Sequence, residues 1–320
     1  MKKVLKKITI SILALTGCLM IASCGEDNKT DKVTLYFGGS TSVEKIAKAL
    51  TAEFELECPS FEGVHNHTGS SDAYKRTQGK DKDSENKLHM GFLSRELKSS
   101  EEVQTGTSGL VCKDGIVAVV NKENNAINDA NAELLTEIYS SDSVRWETVM
   151  GNNELIGTIN RYSRDSSSGT RDGFFTAIGF EDAKTDDTKI PGVVIASSNG
   201  DMITKIKNDK YGIGYVSLAS VESSGLKALT YNGVTATEEG VVDGSYALQR
   251  NFNYCTRTEA DCTEEEWLIL QAFIAYMNSQ EGLIIIKSTD GILTDSIANA
   301  PSWDSILEAN PKFKEICRWF

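Results

Sequence analysis

The chain has 320 residues and carries 46 acidic side chains against 33 basic ones, a formal net charge of −13. Such an excess argues against nucleic acid and against anionic membrane surfaces as partners, and it repels a small anion at long range. Any anion site must therefore act through local dipoles and one or two fixed cations, in a chain long enough for two ordinary domains.

The N-terminus reads as an address. Lys2, Lys3, Lys6 and Lys7 precede an apolar and small-residue run over 8–22. That run is short of the ~20 apolar residues a bilayer core requires, and it has signal-peptide order. It ends at Ile21-Ala22-Ser23-Cys24-Gly25, followed by polar residues. Small residues before a cysteine resemble a bacterial lipobox, which implies a signal peptide over 1–23, lipid on Cys24 and a tether over 24–30. Leu15-Thr16-Gly17-Cys18 fits the same pattern, but the chain after Cys18 stays apolar. An uncleaved anchor helix is the alternative, and either reading puts the remainder outside the cytoplasm.

Val33–Phe37 has the β-branched and aromatic content of a strand, and Gly38-Gly39 breaks it. Ser40, Thr41 and Ser42 offer N-caps for a helix with Val43, Ile46, Ala47, Leu50 and Phe54 on one face. A polar stretch from His65 to Lys87 contains Gly69-Ser70-Ser71, and order resumes over 91–97. Asp114-Gly115 leads into Ile116–Val120, a buried strand by its unbroken apolar run. A short helix is expected over 131–139 and a strand over Leu155–Asn160. Ser166–Thr170 precedes a helix carrying Phe174, Phe175 and Ile178. Val193–Ala196 is a strand, Asn199-Gly200 opens a helix, and Tyr211–Leu218 is a strand interrupted by glycines. Tyr231-Asn232-Gly233-Val234 is a hairpin turn signal, and an amphipathic helix runs from Thr263 to Asn278. Strands alternating with helices argue for mixed or parallel sheets with helices on both faces.

Beyond the leader stand Cys58, Cys112, Cys255, Cys262 and Cys317, an odd number with no C-x-x-C. Cys255 and Cys262 are close enough in sequence to staple a loop. His65, His67 and His89 are the only histidines; His-x-His hints at metal, but spacing places no third ligand, so no metal site is expected.

Three hydroxyl-rich loops share one feature. Gly39–Ser42, Gly69–Ser71 and Ser168–Thr170 each stand at an expected helix start, and Arg164 precedes the third. Free amides at a helix start, with small hydroxyl donors, cradle an anion without net positive charge. One such loop is ordinary capping; three with an arginine make a sharper case.

Motifs in order along almost the whole chain make it resemble the phosphate-binding protein of bacterial phosphate ABC importers, in lipid-anchored form. They run through Gly39-Ser-Thr-Ser-Val43, Gly69-Ser-Ser71, Gly91-Phe-Leu-Ser-Arg-Glu-Leu97 and Asp114-Gly-Ile116. Then come Ile138-Tyr-Ser140 with Trp146, Arg164-x-x-x-Ser168-Gly-Thr-Arg-Asp172, Gly212-Ile-Gly-Tyr-Val-Ser217 and Tyr246-Ala-Leu-Gln-Arg250. The resemblance implies a type II periplasmic-binding-protein fold of two α/β lobes with a ligand cleft between them: 31–113 plus 250–320, and 114–249. It implies binding by Thr41, Ser42, Ser70, Arg164, Ser168, Gly169 and Thr170. The family has an acceptor near Ser94-Arg95 that is Asp in some members, and here it is Ser94. Asp114 is the candidate acceptor for the ligand's proton, the other reading being a simple Asp-Gly turn. Arg95 and Arg164 are the expected cations, whereas Arg161 and Arg171 read as structural.

The implied function is extracytoplasmic capture of inorganic phosphate by a monomer, anchored to the membrane by lipid, for separate ABC permease and ATPase subunits. No cofactor and no catalytic residue are expected. Rivals are a receptor for sulfate or molybdate, a serine-dependent phosphatase using Ser70 with His67, and a surface sensor or adhesin.

Overall fold

The computed structural model describes residues 32–317; Cys24, with the leader and tether, lies outside them. Strand β1 (Val33–Gly39) ends at a glycine with φ +94°, where a Cβ would overlap the Phe92 carbonyl. Helix α1 (Glu44–Glu57) buries Ile46, Ala47, Leu50 and Phe54. Its N-cap is Val43, and none of the three preceding hydroxyls caps it. Ser40, Thr41 and Ser42 are turned to another purpose, which corrects the expected capping role.

β2 (Phe61–Asn66) runs into the polar stretch that begins at His65, α2 (Ser70–Thr77) starts at the expected Gly69–Ser71 loop, and β3 (Met90–Leu93) follows. β2 is an edge strand, so its outward Glu62, Val64 and Asn66 meet water and its composition hides it. Next come β4 (Ser108–Val120), β5 (Asp129–Ala130), α3 (Ala132–Ser140), α4 (Trp146–Met150), β6 (Asn160–Arg164) and α5 (Gly169–Ala177). The strand expected over Leu155–Asn160 thus lies further on, in a segment whose Arg161, Ser163 and Arg164 are buried. An apolar-run rule passes over such a strand. The chain continues through β7 (Val194–Ala196), α6 (Asn199–Lys207), β8 (Gly212–Ser217), β9 (Lys227–Ala228), β10 (Thr230–Tyr231) and α7 (Glu238–Asp243). It closes with β11 (Gln249–Thr256), α8 (Glu264–Met277), α9 (Gln280–Ser288), α10 (Trp303–Ala309) and α11 (Pro311–Ile316). Thr263 and Glu266 form a capping box at the start of α8. Asn232 and Gly233, both at positive φ, make the expected tight turn, bridged by Tyr231 and Val234.

Eight strands run in the order β2-β1-β3-β11-β4-β8-β6-β7, with β9 beside β4. β1 pairs in parallel with β2 and β3, and β6 in parallel with β7 and β8. β4 changes partners along its length. Residues Ser108–Gly115 pair with β11, and Ile116–Val120 pair with β8. Asp114-Gly115 is therefore the middle of a strand at this exchange and not a turn.

Two main cores lie on either side of the exchange. One gathers Leu35, Phe37, Phe54, Phe92, Phe252 and Phe273; the other gathers Ile116, Tyr139, Trp146, Phe174, Tyr215 and Tyr246. A smaller cluster of Val117, Val119, Met202 and Val216 fills the opposite face of the second sheet region, under α6. Aromatic pairs such as Phe174 on Tyr215, with centroids 4.1 Å apart, tie the layers together. Among the described residues no single helix is long and apolar enough to cross a membrane.

Cys58, at the end of α1, is bonded to Cys317 beyond α11, a sequence separation of 259 residues. The expected Cys255–Cys262 staple is absent: Cys255 is buried in β11 with its sulfur 3.3 Å from the Thr77 hydroxyl, and both cysteines are free. An extended strand aims Cys255 at α2, away from the following turn. Replacing Cys58 with serine should cost about 2–5 kcal/mol, because the bond closes a long loop. Urea unfolding of the oxidised protein and the variant measures the difference; equal midpoints would contradict it.

Candidate functional site

All three hydroxyl loops stand at the exchange region, and side chains far apart in sequence meet there. The Ser40 hydroxyl donates to Ser94 Oγ at 2.9 Å, and Ser70 Oγ lies 3.1 Å from the same oxygen. The Ser94 amide donates to Ser70 Oγ at 3.0 Å. Ser42 Oγ lies 2.8 Å from Thr170 Oγ1, across a separation of 128 residues. At Gly169, the first residue of α5, a Cβ would overlap the hydroxyls of both Ser70 and Ser94. Only glycine lets the α5 start approach this closely.

α2, α5 and α6 begin at the cluster, at Ser70, Gly169 and Asn199. Each contributes the positive end of a helix dipole, although in α2 the Ser71 and Asp72 amides already donate to the Ser167 and Gly69 carbonyls. Ser168 is the N-cap of α5 and accepts from the Arg171 amide, so its hydroxyl is partly committed to capping. A cavity of about 210 Å³ lies beside the cluster, lined in part by Thr41, Ser42, Ser198 and Asn199.

Arg164, at the end of β6, is 1 % exposed. Its guanidinium donates to the Ala196 and Ser197 carbonyls at 3.0 and 3.1 Å and to Thr41 Oγ1 at 3.2 Å. Its nearest carboxylate, Asp165, stands 3.7 Å off. Arg171 donates to the Arg164 carbonyl at 2.8 Å and to the Ala183 carbonyl, and pairs with Asp187, a structural role that fixes the backbone behind Arg164. Burial pushes the Arg164 pKa down, and Asp165 opposes the shift. The buried cation is thus held by neutral oxygens, leaving its charge available to an anion.

Arg95 has a different place. Two of its nitrogens fork onto Glu101 at 2.7 and 2.8 Å, a third stands 3.9 Å from Asp172, and none of these bonds reaches the hydroxyl cluster. Its charge is engaged in an ion pair, unlike the cation for the ligand that the sequence leads one to expect.

Asp114 also departs from expectation. It is 2 % exposed, and both oxygens are engaged: Oδ1 accepts from the Ser217 hydroxyl at 2.6 Å, and Oδ2 accepts from Arg250 Nε and Nη2 at 3.0 and 2.8 Å. Burial pushes its pKa up, against the pull of Arg250 and the Ser217 bond. Arg250 reaches the Ser94 carbonyl at 3.4 Å, so Asp114 bears on the cluster through Arg250 and not by direct contact.

Sequence reasoning passed over two members of the cluster. In the sequence Ser40 has only the signal of one more cap candidate. Asn199 donates to Ser42 Oγ at 3.4 Å and has its oxygen 3.5 Å from Arg164 Nη1. Its only sequence signal, Asn-Gly after a strand, fits any helix start. His67 does not face Ser70: its two ring nitrogens meet His65 and the Ser40 carbonyl.

A mixed α/β sheet that exchanges partners on a crossing strand, with helix starts gathered at the exchange, is the architecture of periplasmic-binding-protein-type receptors. The chain belongs to the PBP superfamily, whose domain model matches residues 26–281. It is 25 % identical over 289 residues to the phosphate-binding protein PstS of Borreliella burgdorferi, covering 88 % of this chain and 97 % of that protein. It is 32 % identical to phosphate-binding protein PstS 2 of Streptococcus agalactiae over 146 residues, 44 % of this chain; the match spans 47 % of that relative, about half its length. A Clostridium perfringens protein with bound phosphate superposes at a TM-score of 0.70 and 27 % identity, over 82 % of this chain and 100 % of that one. An ABC-type phosphate transport receptor from Vibrio cholerae gives 0.65 and 25 %, over 81 % and 99 %.

Truncating Asp114 to alanine would strand a buried Arg250 and should destabilise the fold by about 3–5 kcal/mol. Removing both charges, as Asp114→Leu with Arg250→Met, should cost less than the single change. Chemical denaturation of both variants tests the pairing; a double variant as unstable as the sum of the singles would contradict it.

Proposed function

We propose that this chain captures inorganic phosphate between two lobes, outside the cytoplasm, and delivers it to a membrane ABC permease driven by a separate ATPase. The observation that carries the reading is the meeting of Ser42 with Thr170, and of Gly169 with Ser70 and Ser94, beside a buried Arg164. Donors from both sides of the strand exchange would surround a tetrahedral oxyanion, its charge met by helix starts and one guanidinium. The named relatives and the phosphate-bound neighbour support phosphate as the anion.

The ligand set is Thr41, Ser42, Ser70, Ser94, Arg164, Gly169 and Thr170, joined by Ser40 and Asn199, with Ser168 contributing through its cap. The lobes would be 31–113 plus 250–320, and 114–249; the partition of the two main cores supports these boundaries. Ligand contacts made only when both sides meet favour the closed form, which the permease would recognise. The chain is held to the membrane by lipid on Cys24 and acts as a monomer, binding without chemistry.

One observation keeps a second reading, an unprotonated oxyanion such as sulfate. Ser94 stands where some family members carry Asp, and Asp114 is engaged with Arg250 and Ser217. A carboxylate acceptor rewards a protonated anion and penalises sulfate, and among the described residues no carboxylate bonds to Ser40, Ser42, Ser70, Ser94 or Thr170.

Isothermal titration with phosphate, sulfate and molybdate tests the assignment. Phosphate should bind, and Arg164→Ala should weaken it at least ~30-fold, as loss of a buried charged partner costs 2–5 kcal/mol or more. Saturable sulfate binding without phosphate binding would favour the second reading. Unchanged affinity in Arg164→Ala would contradict the site.

A further inference from the structure

His65 in β2 and His67 just beyond its end stack on one another, and anion capture as described makes no use of them. Their hydrogen bonds can be given a direction. His67 Nδ1 lies 3.0 Å from the Ser40 carbonyl oxygen. A carbonyl oxygen only accepts, so Nδ1 carries the proton. The neutral ring then has Nε2 as an acceptor. His65 Nδ1 stands 3.1 Å from that nitrogen and must donate to it. His65 Nε2 is left as an acceptor, and the Thr51 hydroxyl supplies the proton over 2.7 Å in place of its longer 3.1 Å bond to the Lys48 carbonyl. Every bond points the same way, from α1 through two imidazoles to the first anion loop.

Packing holds the rings in register. His65 stacks on Phe37, His67 stacks toward Phe92, and the two imidazoles stack at 5.4 Å with 14° between planes. Burial keeps them neutral. It lowers the His65 pKa to about 3, helped by His67 and Lys48. It also lowers that of His67, opposed by the bond to Ser40 and by Glu44, and aided by Lys48 and Arg76. A proton on His67 Nε2 would face the His65 Nδ1–H and break the relay.

We propose that His67, locked in one tautomer by His65 and Thr51, is a positioning residue for anion capture. It holds the Ser40–Thr41 peptide plane. In a planar trans peptide the Thr41 N–H points opposite to the Ser40 carbonyl, so fixing one fixes the other. On this same loop the Ser40, Thr41 and Ser42 side chains meet Ser94, Arg164 and Thr170. A loop ordered before the ligand arrives loses less freedom on binding. The role rests on the anion-capture reading, whereas the relay itself does not.

The test combines nitrogen-15 histidine spectra of the full chain at pH 7 with phosphate titration of His67→Phe and His67→Asn. The unaltered chain should show His67 as the Nδ1–H tautomer. His67→Phe keeps a ring against Phe92 and deletes the donor, so phosphate affinity should fall about tenfold. His67→Asn places an amide N–H where Nδ1 stood and should recover most of that loss. An Nε2–H tautomer in a chain that binds phosphate would overturn the relay alone. A His67→Phe variant that binds as tightly as the parent, or a His67→Asn variant that loses as much as His67→Phe, would overturn the positioning role and leave anion capture standing. An unaltered chain with the Nδ1–H tautomer but no phosphate binding would overturn the capture reading, and the positioning role with it.

Discussion

A dehydrated anion inside an acidic protein is stable only where fixed donors replace its water, and the placement of Arg164 answers that constraint. Arg95, Arg171 and Arg250 are buried as well, but each meets a carboxylate at close range, and Arg161, held by carbonyl oxygens, is bonded to residues 138–142 and not to the hydroxyl cluster. Arg164 is held by carbonyl oxygens and a hydroxyl, with Asp165 only at the edge of contact. A cation neutralised by its own chain has little left for a ligand; one held by neutral dipoles keeps its charge. Helix starts and hydroxyls around it add local positive potential without altering the net charge of −13.

The strand exchange links this site to the frame. β4 leaves β11 for β8 at Asp114-Gly115, and there Asp114 ties together Arg250 of β11 and Ser217 of β8. Arg250 passes the link on to the Ser94 carbonyl. A change in the angle between the two sides would have to work against this buried pair. The Gly39–Ser42 loop also meets His67, whose Nδ1 lies 3.0 Å from the Ser40 carbonyl oxygen. Rigid support of this kind is how a site made of weak neutral donors can act as a strong one.

Much of the architecture was legible from local pattern. Val33–Phe37, Ile116–Val120 and Tyr211–Leu218 carry ordinary strand composition, and the apolar period from Thr263 to Asn278 marks a helix. What escaped did so for identifiable reasons. β2 is a solvated edge strand, and β6 buries arginines and a serine, so neither shows an apolar period. The three loops and Arg164 were named from the sequence, because Ser, Thr and Gly at helix starts leave a visible trace. Arg95 pairs with Glu101 and Asp114 with Arg250, and the sequence pattern does not reveal either partner. The Cys58–Cys317 bond joins positions too distant for proximity in sequence to suggest it.

Function here comes down to whether chain segments from both sides of the exchange share one tetrahedral guest. A crystal structure grown with phosphate examines that directly. The account predicts the anion within hydrogen-bond reach of Ser42, Ser70 and Thr170, the Gly169 amide and the Arg164 guanidinium together. Ordered phosphate bound elsewhere, with these groups still bonded only to one another, would contradict it.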